Sequence, residues 1–272
     1  FITLALGFMG NMVQSNSIGA AFKEVFAVMN VNIPSVAIGV FVAAIAAFIF
    51  FGGTKRLAAV LEKVVPIMAG VYIVGALIFI VLHITALPGA IASIFIGAFN
   101  PQAVVGAAAG ITIRQAIRFG VARGLFSNEA GMGSAPNAAA TADVSHPVKQ
   151  GLVQMLSVFI DTLLICSTTA FLCLITDVDP QKYVDGDAAN AAGYVQAAIH
   201  STLGNFGPIF IAISMFFFAF TTLIGNYSYC EGCLAFVLKR NLKRQEALVF
   251  RCIAIVLIYV GAVSQADLVW NM

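Results

Sequence analysis

The feature that most limits how this chain can fold is the recurrence of long apolar runs almost without charge. Hydrocarbon about 30 Å thick is crossed by a helix of about 20 mostly apolar residues. Runs of that order occupy residues 1–28, 36–51, 64–83, 151–175, 206–237 and 247–263, and an interrupted one covers 111–142. No soluble shell is left to cover them: 61% of the residues are apolar and 10% charged, against about 25% charged in an ordinary soluble domain. The expected class is therefore an all-α polytopic membrane protein of about seven crossings, one of them broken. Residues 87–99 are too short to span and read as a surface or re-entrant helix, and 193–203 as a second interfacial helix. The chain opens at Phe1 inside an apolar run with no basic leader, so 1–272 is expected to be a single transmembrane domain internal to a longer protein.

Charge placement says more than charge total. A net charge of +2 gives no footprint for nucleic acid. Lys55, Arg56 and Lys63 fall between the second and third runs, and Lys239, Arg240, Lys243, Arg244 and Arg251 between the last two, whereas 177–187 carries four Asp and one Lys. Basic loops stay on the cytoplasmic side, and the basic and acidic loops separate only if 111–142 is one pass. The five cysteines are odd in number and lie in or beside apolar stretches, which argues against a disulfide framework. Cys230 and Cys233 have zinc-like spacing without a second pair and read as helix-packing residues.

The interrupted crossing places Gly124, Gly131, Gly133 and Pro136 amid polar groups. Glycine weakens a helix by about 1 kcal/mol and proline by about 3, so the chain is expected to unwind near 126–133. Unwound backbone at membrane depth is tolerated only inside protein or beside a wet cavity, which makes such a break a pointer to a transporter's central site. Ser134 can cap the second half-helix, with Pro136 in its first turn, and the amides there favour a carboxylate. Carbonyls ending the first half near Leu125 favour an ammonium group or a small cation. The plainer alternative is a glycine hinge, with Gly106/Gly110 and Gly120/Gly124 as helix-packing pairs.

Other polar residues interrupt the apolar runs. Asn11, Gln14, Ser15, Asn16 and Ser17 form a band in the first run. Asn11 and Gln14 share a helix face while Gln14 and Asn16 point nearly oppositely, and spacing alone leaves open which face meets a cavity. Thr221 and Thr222, with Asn226 one turn on, offer oxygens that suit a hard cation or hydroxyls that bond to their own helix. Asp161 shares a stripe with Gln154, Ser157 and Thr168. A carboxyl at that depth costs about 2.5–3.5 kcal/mol, and a polar interhelix clamp is favoured over proton coupling. Glu129 can neutralise a cation or pair with Arg123, and Arg114 and Arg118 read as solvated or packing residues. An intramembrane hydrolase finds no chemistry here, since His83, His146 and His200 are isolated and Gly133-Ser134 lacks a following glycine. A channel would need a continuous pore, which a broken central helix suits poorly.

The segments GLFSNEAGMGSAPNAAATA at 124–142, GNMVQSNS at 10–17, HPVKQG at 146–151, VFIDT at 158–162 and FFFAFTTLIGN at 216–226 resemble the alanine/glycine:cation symporter family. That resemblance implies the inverted five-plus-five repeat fold of leucine-transporter-like proteins, with 1–272 running from the third to the ninth core helix and the first, broken, helix preceding Phe1. It implies sodium-coupled symport of small neutral amino acids, alanine and possibly glycine, by alternating access across the cell (plasma or inner) membrane, with sodium as coupling ion and no other cofactor. A channel or a proton-coupled carrier is the alternative. On the family pattern Asn16 contacts substrate with Gln14 beside it, Phe126, Ser127 and Asn128 surround it at the break, and Thr221 and Thr222 hold sodium. Asn226 stands where many members carry Trp, on the pocket wall.

Overall fold

The apolar runs fold as helices whose ends shift wherever charged residues join them. The computed structural model describes residues 5–99, 117, 120–122, 124–125, 133–140, 142–176, 178–185, 188–189, 191–265 and 268–269. A π-helical turn, Ala5–Gly10, leads into α1 (Asn11–Val28), followed by α2 (Ser35–Phe50), α3 (Gly53–Leu82) and α4 (Leu87–Phe99). After the interrupted region come a single turn, α5 (Ala135–Ala139), then α6 (Pro147–Phe159), a second π-helical stretch (Ile160–Cys166) and α7 (Ser167–Leu174). The acidic segment holds a 3-10 turn (Pro180–Tyr183) and a two-residue antiparallel pair, β1 (Val184–Asp185) with β2 (Ala188–Ala189). The chain ends with α8 (Ala191–Leu203), α9 (Phe206–Leu238) and α10 (Arg244–Val263). Among the described residues, four helical spans are long and apolar enough to cross a membrane: Arg56–Leu82, Pro147–Leu174, Phe206–Leu238 and Arg244–Val263. The helix of 36–51 is shorter, and most of 111–142 lies outside the described residues.

Two compact units are distinguished, 1–72 with 176–272, and 73–175. The first is built on close helix contacts. A Cβ on Gly261 of α10 would stand 2.5 Å from Met12 Cα and 2.6 Å from Met12 O, and one on Gly19 would stand 2.8 Å from Ala262 O. Gly39 of α2 likewise meets Val263 Cγ2 at 2.9 Å. Small residues thus let α10 lie directly on α1 and α2, the packing that replaces hydrophobic drive inside lipid. Tyr227 adds an aromatic joint, its ring 4.5 Å from Phe50 and 5.5 Å from Phe250. The expected interfacial helix is α8, stapled by Gln196 Nε2, which donates to Ala21 O at 3.0 Å and Pro208 O at 3.2 Å.

Several sequence expectations are corrected here. The run predicted to begin at 64 starts at Gly53, whose φ of +78° follows a two-residue turn at 51–52. Arg56 folds back, donating to Phe48 O at 3.1 Å with its guanidinium 4.5 Å above the Phe48 ring. Lys55, Arg56 and Lys63 all fall within α3 instead of forming a loop, and the heads of Arg56 and Lys63 can leave the apolar zone while their stems cover it. Arg251 likewise sits inside α10, which begins early because its N-terminus is capped: Glu246 accepts from Lys243 N–H at 2.9 Å and from Arg240 at 2.7 and 2.8 Å. Glu246→Ala should lower the thermal midpoint slightly, mostly from the lost N3-to-N-cap bond since exposed ion pairs contribute little. A thermal midpoint equal to wild type would show the cap to be idle. Among the described residues nothing stands within 4 Å of a Cβ added to Gly120 or Gly124, which were expected to pack helices; Gly106 and Gly110 lie outside the described residues.

The second unit holds α4, which matches 87–99, and a continuous helical rod from Pro147 to Leu174. That rod starts earlier than 151 because His146 Nδ1 accepts from Val148 N–H at 3.2 Å and Pro147 occupies the first helical position. Asp161 lies in the first turn of the π-helical stretch, the kind of widened turn often found at functional sites.

Candidate transport site on α9 and the π-turn of α1

α9 is the longest helix described, 33 residues, or about 50 Å at about 1.5 Å per residue. Thr221 and Thr222 fall at its midpoint. Both hydroxyls donate to the same carbonyl, Phe218 O, at 3.0 and 2.9 Å, and Thr221 Oγ1 also lies 3.7 Å from Met68 Sδ. The structure therefore shows the self-bonding that the sequence left open, without closing the other use. A hydroxyl whose hydrogen is fixed on a carbonyl presents only lone pairs outward, the form a hard cation takes as ligand. Thr222 is half-buried, and no described residue stands within 4 Å of where a Cβ on Gly225, three residues on, would lie.

α1 runs antiparallel to α9. A Cβ on Gly7 would meet Cys230 Sγ at 2.6 Å and one on Gly10 would meet Asn226 Nδ2 at 3.2 Å, while Phe22 and Phe216 meet edge to face at 6.1 Å. This register sets Asn11 level with Asn226 and Gln14 level with Thr222. Gly7, Gly10, Asn11 and Gln14 recur at helical spacing, so one face of α1 carries both amides toward α9. Asn11 is fully buried; its Nδ2 donates to Gly7 O at 3.1 Å and its Oδ1 has no partner. Asn226, 2% exposed, also has a buried Oδ1 without a partner. Asn11 was only one member of a polar band in the sequence. The readable signal was its position between Gly10 and Gln14 on a single face.

Asn16 points elsewhere. Its Nδ2 donates to Gly261 O at 3.0 Å and Ser264 O at 2.7 Å, so both amide hydrogens are committed to the C-terminal end of α10. Ser15 and Ser17 return their hydroxyls to Met12 O and Val13 O, each at 3.0 Å. The polar band thus divides, with Gln14 on the face of α1 that meets α9 and Asn16 on the face that meets α10. Phe126, Ser127 and Asn128 lie outside the described residues. Beyond them, Gly133 takes a φ of +74° and Ser134 is buried immediately before α5. α5 carries Pro136, and Asn137 Nδ2 donates to Ser134 O at 3.2 Å. The second half-helix, expected to run to 142, is this five-residue turn.

The model of the sodium:alanine symporter family matches residues 1–272. The amino-acid carrier protein AlsT of Bacillus subtilis is 42% identical over 271 residues, which cover 100% of this chain and 54% of that protein. A second B. subtilis protein, named a probable sodium/glutamine symporter, GlnT, is 41% identical over 271 residues, 100% of this chain and 53% of that one. The sodium/proton-dependent alanine carrier protein of Bacillus sp. (strain PS3) is 36% identical over 284 residues, 100% and 61%. The chain therefore spans little more than half the length of these relatives. Their names describe carriers and symporters, not enzymes. With its whole length matched by one family model, this chain belongs to the sodium:alanine symporter family.

Proposed function

We propose that the protein is a sodium-coupled symporter of small neutral amino acids, alanine or glycine, working by alternating access within an inverted five-plus-five fold of the cell membrane. What supports this reading is the family match over residues 1–272 together with the pair Thr221 and Thr222 halfway along α9, both hydroxyls turned onto Phe218 O with their lone pairs left outward. Transporters of this kind hold substrate and ion near the bilayer midplane. Thr221 and Thr222 supply oxygens to sodium. Gln14, with Phe126, Ser127 and Asn128 of the interrupted crossing, contacts the amino acid, and Asn226 forms the wall of the pocket. Asn16 serves the site by fixing α10 against α1 through its two committed hydrogens.

The test is uptake of labelled alanine by the intact protein in vesicles. Uptake should saturate and fall about tenfold or more when choline replaces sodium, because a missing co-substrate removes the coupled pathway. Unsaturable flux would mean a channel. Saturable uptake indifferent to sodium but abolished by a protonophore would mean proton coupling. Glutamine as a competitor measures how far the pocket, with Asn226 in its wall, admits a longer side chain.

A further inference from the structure

The link between α9 and α10 gathers charge of one sign. Residues 239–246 hold Lys239, Arg240, Lys243 and Arg244 against the single carboxylate of Glu246. That carboxylate is already engaged: Arg240 donates to it at 2.7 and 2.8 Å and the Lys243 N–H at 2.9 Å. Among the described residues Arg240–Glu246 is the ion pair formed, so the exposed side chains of Lys239, Lys243 and Arg244 meet no carboxylate of their own. Lys239 ends α9 in the left-handed conformation, φ +52°, and its N–H and that of Arg240 donate to Phe236 O and Ala235 O. Backbone amides thus satisfy these carbonyls near the end of α9, and the lysine side chain is not spent on capping them. Apolar side chains stand bare on both sides of the link. Phe236 is 84% and Val237 73% exposed in the last turn of α9, and Leu248 and Val249 are exposed near the start of α10.

We propose that this corner holds one anionic phospholipid, its headgroup phosphate on Lys239, Lys243 and Arg244 and its acyl chains against Phe236 and Val237. The occupant follows from the two halves of the surface. Unpaired cations ask for negative charge, and four or more Lys and Arg gathered at the end of a spanning helix draw anionic lipid. A free phosphate or a nucleic acid would use the cations but leave the Phe236 ring uncovered. A zwitterionic lipid would cover the ring, but its ammonium end would find only Glu246, which Arg240 already holds. Lysine and arginine stems lie along apolar surface while their heads reach water, which brings these charges to the depth of lipid phosphates. The inference goes beyond the transport reading and holds whatever amino acid or ion is carried.

The test is native mass spectrometry of the intact protein in non-ionic detergent, titrated with phosphatidylglycerol or with phosphatidylcholine. The first phosphatidylglycerol should bind at least about tenfold more tightly than the first phosphatidylcholine. Lys239→Gln, Lys243→Gln and Arg244→Gln should each weaken phosphatidylglycerol binding about fivefold and leave phosphatidylcholine binding where it was. Phe236→Ser removes chain contact and no charge, so it should weaken both lipids alike. Glu246→Gln keeps a side chain able to cap α10 and frees Arg240, so it should strengthen phosphatidylglycerol binding. Lys149→Gln, at an exposed lysine near the start of α6, is the control and should change nothing. Equal affinity of the wild-type protein for the two lipids would overturn the inference, because the corner would not select charge. A loss from Lys149→Gln as large as that from Lys243→Gln would overturn it too, since the attraction would then belong to the surface at large. So would glycerol 3-phosphate competing as well as the whole lipid, which would make the ligand a free phosphate and leave the ring idle. Lipid binding is read without transport, so a failure of sodium-dependent uptake is a separate result.

Discussion

Gly261→Val is expected to abolish the α1–α10 contact, leaving little monodisperse protein after extraction and a loss of about 3 kcal/mol or more in what remains, the upper range for overpacking. The obstacle is backbone. A Cβ at this position would lie 2.5 Å from Met12 Cα and 2.6 Å from Met12 O, and 2.4 Å from Ser15 Oγ. The serine can rotate away, but Met12 can retreat only if α1 moves, and α1 is held on its other side by Gly7 against Cys230 and Gly10 against Asn226. Moving α1 also breaks the bond from Asn16 to Gly261 O. Gly225→Ala is the matched control. Among the described residues nothing lies within 4 Å of its Cβ position, so the fold should persist with a gain of up to about 1 kcal/mol from helix propensity. Size-exclusion profiles and thermal unfolding of both variants decide the matter: a Gly261→Val protein with wild-type yield and midpoint would mean that the close approach of α1 and α10 is not needed for folding.

How much of this was legible in the sequence depends on whether one helix or two set the feature. Length and apolarity are properties of a single segment, so α2, α4 and α9 end within a residue or so of their apolar runs. The start of α3 was not legible because Lys55, Arg56 and Lys63 look like a loop, although a helix can carry such side chains at a membrane boundary. The π-helical turn at Ala5–Gly10 was not legible either. Its wide turn is set by how Gly7 and Gly10 receive Cys230 and Asn226, residues more than two hundred positions away. Candidate site residues followed the same division. That Gln14 and Asn16 face opposite ways could be read from spacing, whereas which of them meets α9 depends on the neighbours of α1. Thr221 and Thr222 stood out by composition, but their shared bond to Phe218 O is a matter of rotamer.

Exchanging Asn16 and Gln14 one at a time should give opposite results, because the two amides face different helices. In Asn16→Leu, Gly261 O and Ser264 O lose their donor. These carbonyls close the end of α10, where no further turn of helix can satisfy them, and each buried orphan costs about 1–3 kcal/mol. The variant should therefore unfold at a clearly lower temperature with or without alanine, and its maximal uptake should drop with the amount of folded carrier while the KM values for alanine and sodium stay near wild type. Asn16→Asp should be worse, since a carboxylate would then confront two carbonyl oxygens. In Gln14→Leu, no interhelix hydrogen bond among the described residues is lost, so stability should hold while the KM for alanine rises about tenfold, the loss expected when a polar contact to substrate becomes apolar. Thermal unfolding and uptake kinetics on the same preparations separate the two. If Asn16→Leu kept its stability and raised the alanine KM, the α10 side of α1 would be the substrate face, and the division of the polar band would have to be reversed.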